Sequence, residues 1–206
     1  MAATKKLYTF TISFMIILFY LATTTTSTTA TAALPKTSTT TFIKSSCKAT
    51  LYPTLCVQSL SLYAASIKLS PQKLTHTALL ISLAKAKSTR TYISIMSKTN
   101  GLKRADRAAL KDCLENMGAA EDRIRGSVQE MGKLGKASTR ELRWIMSNVQ
   151  TWVSAALSGE NTCGDGLSEE SEVSGRVRNG ISPMLVNVKQ VTSNALALIN
   201  LFVDKY

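Results

Sequence analysis

The chain has 206 residues, 45% of them apolar and 18% charged, which suits one domain with its own core and excludes a disordered polymer. Lys and Arg number 25 against 13 Asp and Glu, a formal charge of +12 that favours acidic partners. One His and four Cys exclude most metal- and His-based chemistry.

Lys5 and Lys6 precede the apolar run Leu7 to Leu21, too short for a comfortable membrane span and arranged as the head of a secretory signal. Ala30-Thr31-Ala32 supplies the small residues of a cleavage site, so residues 1–32 are read as a signal peptide, with an earlier cut after Ala22 the alternative. Its removal leaves 23 basic and 13 acidic side chains, a net +10. No second apolar span follows, and the end at Asp204, Lys205 and Tyr206 resembles neither a membrane nor a lipid anchor, so no membrane partner is expected after cleavage. Threonine dominates residues 23–41, a composition that buries little apolar surface. Residues 33–41 are therefore read as a linker and 42–206 as the folded domain.

In an oxidising compartment, Cys47, Cys56, Cys113 and Cys163 suggest two disulfides in one of three pairings. A bend at Tyr52-Pro53 brings Cys47 to Cys56, which leaves Cys113 for Cys163. Chain entropy gives the short loop about 2.7 kcal/mol and the long one about 4. Zinc is the alternative, but no CxxC pair is present and His76 is distant in sequence from any cysteine.

From Pro53 onward the pattern is helical. Pro53 to Leu69 makes one short helix or two turns. Ser70 and Pro71 then open a helix of about 30 residues whose stripe is Leu74, Ala78, Ile81, Ala84, Ser88 and Ile95, up to Asn100-Gly101. The next runs from about Lys103 to Leu134, with Ala109, Cys113, Met117, Ala120, Ile124, Val128 and Met131 inward and charges of alternating sign outward. Ser138 and Glu141 form a capping box ahead of a helix with Leu142, Ile145, Val149, Trp152, Val153 and Ala156 on its apolar stripe, closed by Gly159. A loop, Glu160 to Glu172, leads to the last helix, whose stripe is Val177, Ile181, Met184, Val188, Val191, Ala195, Leu198 and Phe202. Gly180 and Pro183 predict a kink or restart near Ser182. The fold class is all-α: an antiparallel four-helix bundle with an N-terminal helical extension and two disulfides.

The third bundle helix carries an unusual outer face. Ser147, Thr151, Ser154 and Ser158 share a sector opposite the apolar stripe, and no charged residue occurs between Arg143 and Glu160. Such a face suits contact better than solvation, although hydroxyls on a helix also bond back to the carbonyl four residues earlier. No catalytic constellation accompanies it. GxSxG, HExxH and phosphate-loop motifs are absent, Glu169-Glu170 and Glu115 with Asp122 are spaced as surface charges, and no cofactor motif is found, so no enzyme is expected.

The wording of several stretches resembles the plant invertase and pectin methylesterase inhibitor family, in its pectin methylesterase inhibitor branch. They are Tyr52-Pro53-Thr54-Leu55-Cys56, Asp112-Cys113, Ser147 to Leu157 (SNVQTWVSAAL), Thr162-Cys163-Gly164-Asp165-Gly166, and Thr192 to Asn200 (TSNALALIN). The resemblance covers about Phe42 to Tyr206. It implies a four-helix bundle with an N-terminal helical hairpin, the same two disulfides, secretion to the apoplast and cell wall, and one-to-one binding to a carbohydrate-active enzyme. The pectin methylesterase branch lays bundle helices across the enzyme's substrate cleft; the invertase branch inserts a Pro-Lys-Phe element.

No proline lies between Pro71 and Pro183, and the only Pro-Lys is Pro35-Lys36, which favours the pectin methylesterase branch. Carried over position by position, the resemblance implies a contact set of Glu115, Asp122, Gln150, Thr151, Ser158, Thr162 and Asp165. The chain departs from the pattern at Ala119, where an acidic residue is expected, and at Ser158, where an aspartate is admitted. Acid invertase is the alternative target. A cationic wall-binding protein without inhibitory activity is the second alternative, and acidic pectin is a further partner that the +10 admits. Nucleic acid does not fit the secreted address. A pro-region of a pectin methylesterase would look alike, but needs a catalytic domain after it.

Overall fold

The computed structural model describes residues 36–169 and 171–205; residues 1–32, read above as a signal peptide, residues 33–35 of the stretch read as a linker, Glu170 and Tyr206 lie outside them. Helix α1, Lys36–Cys47, begins six residues before the boundary read at Phe42. Thr39, Ile43 and Cys47 recur every four residues and all three are buried, so residues 36–41 are helical and Thr39 lies on the inward face where composition suggested a linker. After the bend come α2, Pro53–Ser61, with Pro53 in its first turn, and the single turn α3, Ala64–Ile67. The amide of Asn194 clamps the bend, accepting from Tyr52 N and donating to Tyr52 O, both at 3.0 Å.

Four long helices follow: α4, Pro71–Ser97; α5, Arg104–Gly132; α6, Thr139–Glu169; and α7, Gly175–Val203. A 3-10 turn, Leu134–Lys136, joins α5 to α6. Each packs on its sequence neighbour, and α7 closes the ring against α4. Contacts that descend one helix as they climb the other make α4 and α7 antiparallel: Thr75 with Leu198, Ser82 with Thr192, and Met96 beside Gly180. Among the described residues there is no strand, and no helix is long and apolar enough to cross a membrane.

Both disulfides form as expected, Cys47–Cys56 and Cys113–Cys163, with Cα separations of 5.7 and 4.4 Å. Three expectations are corrected. On α4 the expected Leu74 and Ala78 are buried and Ile81 is partly buried, but the buried face continues through Thr75, Leu79, Ser82, Ala86, Thr89 and Ile93, whereas Ala84 and Ser88 are exposed and Ile95 is 62% exposed. Small and hydroxyl-bearing residues occupy the later part of this core face, so beyond Ile81 hydrophobicity alone followed the wrong side. Helix α6 does not stop at Gly159 but runs ten residues further, and no loop spans Glu160 to Glu169. Glu160, Cys163 and Leu167 extend the inward stripe from Ala156 at spacings of four, three and four. Helix α7 runs unbroken through Pro183, which lies on the exposed side, while Leu185 takes the buried place expected for Met184.

Two buried carboxyl groups lock the bundle. Asp106 Oδ2 accepts from Lys103 N at 3.1 Å, and Oδ1 from Ser174 N at 2.7 Å, so one side chain caps α5 and holds the start of α7. Burial opposes its ionisation, but bonds from Ser174 and Lys103 and the Lys103 charge outweigh that and hold its pKa below the ordinary value. Glu160 Oε1 accepts from Thr192 Oγ1 at 2.9 Å. Ser82 Oγ and Thr192 Oγ1 share a hydrogen bond at 2.7 Å, so the chain Ser82–Thr192–Glu160 joins α4, α7 and α6. Burial pushes the Glu160 carboxyl up to about 8, against the Thr192 bond and the Lys189 charge.

Candidate partner-binding face

Helices α5 and α6 approach closely because glycine stands at two crossings. A Cβ at Gly159 would lie 3.2 Å from the backbone carbonyl oxygen of Asn116, and one at Gly126 would lie 3.1 Å from the Trp152 ring. With Cys113–Cys163 these fix an antiparallel register in which Glu115 is level with Thr162 and Asp122 with Ser154. The outward sides of the two helices therefore make one continuous surface.

On α6 that surface is Ser147, Thr151, Ser154, Ser158, Thr162 and Asp165, all exposed. The capping box at its start is formed: Ser138 N and Oγ each donate to Glu141 Oε2 at 2.7 Å, and Glu141 N donates back to Ser138 Oγ at 3.4 Å. Three of these hydroxyl protons are engaged within the helix. Thr151 donates to Ser147 O at 2.9 Å, Ser158 to Ser154 O at 3.1 Å and Thr162 to Ser158 O at 3.0 Å. Back-bonding and a contact face are thus compatible: each oxygen keeps acceptor capacity, and its rotamer is fixed before any partner arrives.

On α5 the exposed Glu115 lies 3.9 Å from Lys111. Asp122 is bonded to Arg125, which also bonds the buried Glu121, itself paired with Arg90 of α4 at 3.2 Å. That row of alternating charges holds the Asp122 carboxylate at the edge of the α6 stripe.

Of the seven residues expected in contact, Glu115, Asp122, Thr151, Ser158 and Thr162 share this surface, and Asp165 continues it one turn beyond Thr162. Thr162 and Asp165 stand on the helix, not on the expected loop. Gln150 is turned away, its Nε2 donating to Asn200 Oδ1 of α7 at 2.9 Å. Sequence reasoning missed Trp144, which is 70% exposed and lies seven residues before Thr151 and fourteen before Ser158, hence on the same face. The heptad spacing was the available signal. Exposed aromatic rings of this size are a recurring feature of protein-binding surfaces.

Residues 41–198 match the plant invertase/pectin methylesterase inhibitor family, and the chain belongs to that family. It is 45% identical over 166 residues to pectinesterase inhibitor 11 of Arabidopsis thaliana, covering 80% of this chain and 82% of that protein. Pectinesterase inhibitor 9 of Arabidopsis thaliana is 49% identical over 167 residues, 80% of this chain and 81% of that one. The crystal structure of a mutant form of a pectin methylesterase inhibitor from Arabidopsis shares the fold, with a TM-score of 0.58 at 21% identity over 75% of this chain and 92% of that one.

Proposed function

We propose that this protein is a secreted inhibitor of pectin methylesterase that binds the enzyme one-to-one and lays the α5–α6 face across its substrate cleft. The single observation that carries the reading is the uncharged stripe Ser147, Thr151, Ser154 and Ser158 beside Glu115 and Asp122, in a chain 45% and 49% identical to Arabidopsis proteins named pectinesterase inhibitors. From Trp144 to Asp165 the face extends about 31 Å along α6, long enough for an interface of standard size.

Inhibition by this route needs no chemistry, only exclusion of a long polymer from its cleft. Small side chains let the helices approach the cleft walls, carboxylates at the edge accept hydrogen bonds from the enzyme, and a disulfide-tied helix pair loses little freedom on docking. The α5–α6 connection holds no proline and hence no Pro-Lys-Phe element, which supports the pectin methylesterase target over invertase. Two disulfides fit an oxidising compartment such as the cell wall.

Titration of the oxidised residues 33–206 against a plant pectin methylesterase and an acid invertase tests the reading. Stoichiometric inhibition of the esterase alone is expected; inhibition of invertase alone, or of neither by a folded protein, rejects it.

A further inference from the structure

The charge of this chain is divided between its halves. All thirteen acidic side chains lie at or after Asp106, while residues 36–105 hold eleven Lys and Arg and no acid. Residues 105–206 are close to balanced, with twelve basic against thirteen acidic, so the excess belongs to α1–α4 and not to the α5–α6 face. On the α4 side a cleft of about 690 Å³ opens between α3, α4 and the end of α5, a volume typical of ligand sites, which run from ~300 to ~1,000 Å³.

Lys73, His76 and Lys85 line it, with Gln72, the exposed Leu80 and the 46% exposed Tyr63, and no acidic residue does. Among the described residues, neither Lys73 nor Lys85 forms an ion pair, so both ammonium groups are available to an anion. They lie twelve residues apart, about 18 Å along α4. The cleft therefore matches an extended ligand with repeated negative charges and intervening apolar faces.

We infer that this cleft binds a de-esterified polyuronate, with Lys73 and Lys85 on its carboxylates and Tyr63 and Leu80 against the C–H faces of the sugar rings. This rests on the inhibitor reading for the location of the ligand, since a pectin esterase leaves carboxylates on the polymer it acts on. One tyrosine and one imidazole ring make a poor platform for successive nucleic-acid bases, and two disulfides fit an oxidising compartment without nucleic acid. The function is tethering: the cationic cleft holds the polymer while the outward sides of α5 and α6 stay free for the enzyme.

The test measures binding of the disulfide-intact protein to oligogalacturonate and to its methyl-esterified form, at low and raised salt, with esterase inhibition read on the same samples. Binding of the de-esterified chain alone, weakened at least roughly tenfold in K73E/K85E but not in K48E/K98E, with wild-type inhibition retained, is the expected result. Equal binding of both chains, equal loss in K48E/K98E, or equal binding of RNA or anionic vesicles overturns it. A wild-type protein that inhibits the esterase without binding oligogalacturonate also overturns it and leaves the inhibitor reading intact. Binding without inhibition supports the cleft and rejects the inhibitor reading.

Discussion

Gly159 and the Asn116 carbonyl face each other across the α5–α6 crossing, so close that a Cβ at 159 would stand 3.2 Å from the oxygen. The neighbour is backbone and cannot swing away. Gly159→Val should therefore separate the helices, cost roughly 2–3 kcal/mol of stability in urea unfolding and weaken esterase inhibition by displacing Ser158 and Thr162 from α5. Unchanged stability and inhibition would show that the crossing is not tight.

Asp106 uses both carboxylate oxygens as acceptors, for Lys103 N and Ser174 N. Asparagine offers an oxygen to one and an NH₂ to the other, setting donor against donor. Asp106→Asn should cost about 2–3 kcal/mol at neutral pH, read as a lower urea midpoint. The folded pKa is lowered from 3.8, so this contribution is present above 3.8 and is lost as pH falls through the lowered value. The gap between wild type and variant should accordingly close in strong acid.

Glu160 behaves in the opposite sense. Its folded pKa stands at about 8 against an ordinary 4.5, so the native state holds a proton that the unfolded chain releases. Stability is fully present below about 4.5 and declines as pH rises towards 8, by up to about 1.4 kcal/mol per unit. Glu160→Gln should flatten that decline in melting temperature across the window. A variant with the wild-type slope would assign the dependence to other groups.

Trp144 stands at the N-terminal end of the contact face, on the heptad of Thr151 and Ser158. Truncation to Ala removes exposed apolar surface and should leave the melting temperature within about a degree or two of wild type. The inhibition constant for the esterase should rise roughly thirtyfold, equivalent to about 2 kcal/mol of binding. Wild-type inhibition by Trp144→Ala would place the contact nearer the Asp165 end.

The bundle was legible where large aliphatic residues mark the inward face, as on α7 from Val188 to Phe202. It was misread on the later part of α4, where Ser82, Ala86 and Thr89 face inward and a hydroxyl bond to Thr192 replaces part of the apolar contact. The extension of α6 was hidden by Gly159, which looks like a stop signal but permits close packing, and by Glu160, whose burial depends on partners far along the chain. On the candidate face, the missing charges and the four-three spacing of the hydroxyls were visible in sequence. The turn of Gln150 toward Asn200 was not, because Gln150 lies between the outward sector and the seam with α7, and only the packed neighbour decides which side it joins.

The most direct measurement is esterase inhibition by Thr151→Arg beside wild type, with both proteins shown to be folded by thermal unfolding. Thr151 is exposed near the middle of the stripe, and its hydroxyl bonds only within the helix, so a long charged side chain there should leave the bundle standing. If the α5–α6 face covers the enzyme's cleft, the variant keeps its melting temperature and loses inhibition at least roughly a hundredfold, about 2.7 kcal/mol. A folded Thr151→Arg protein that inhibits as well as wild type would contradict the assigned face.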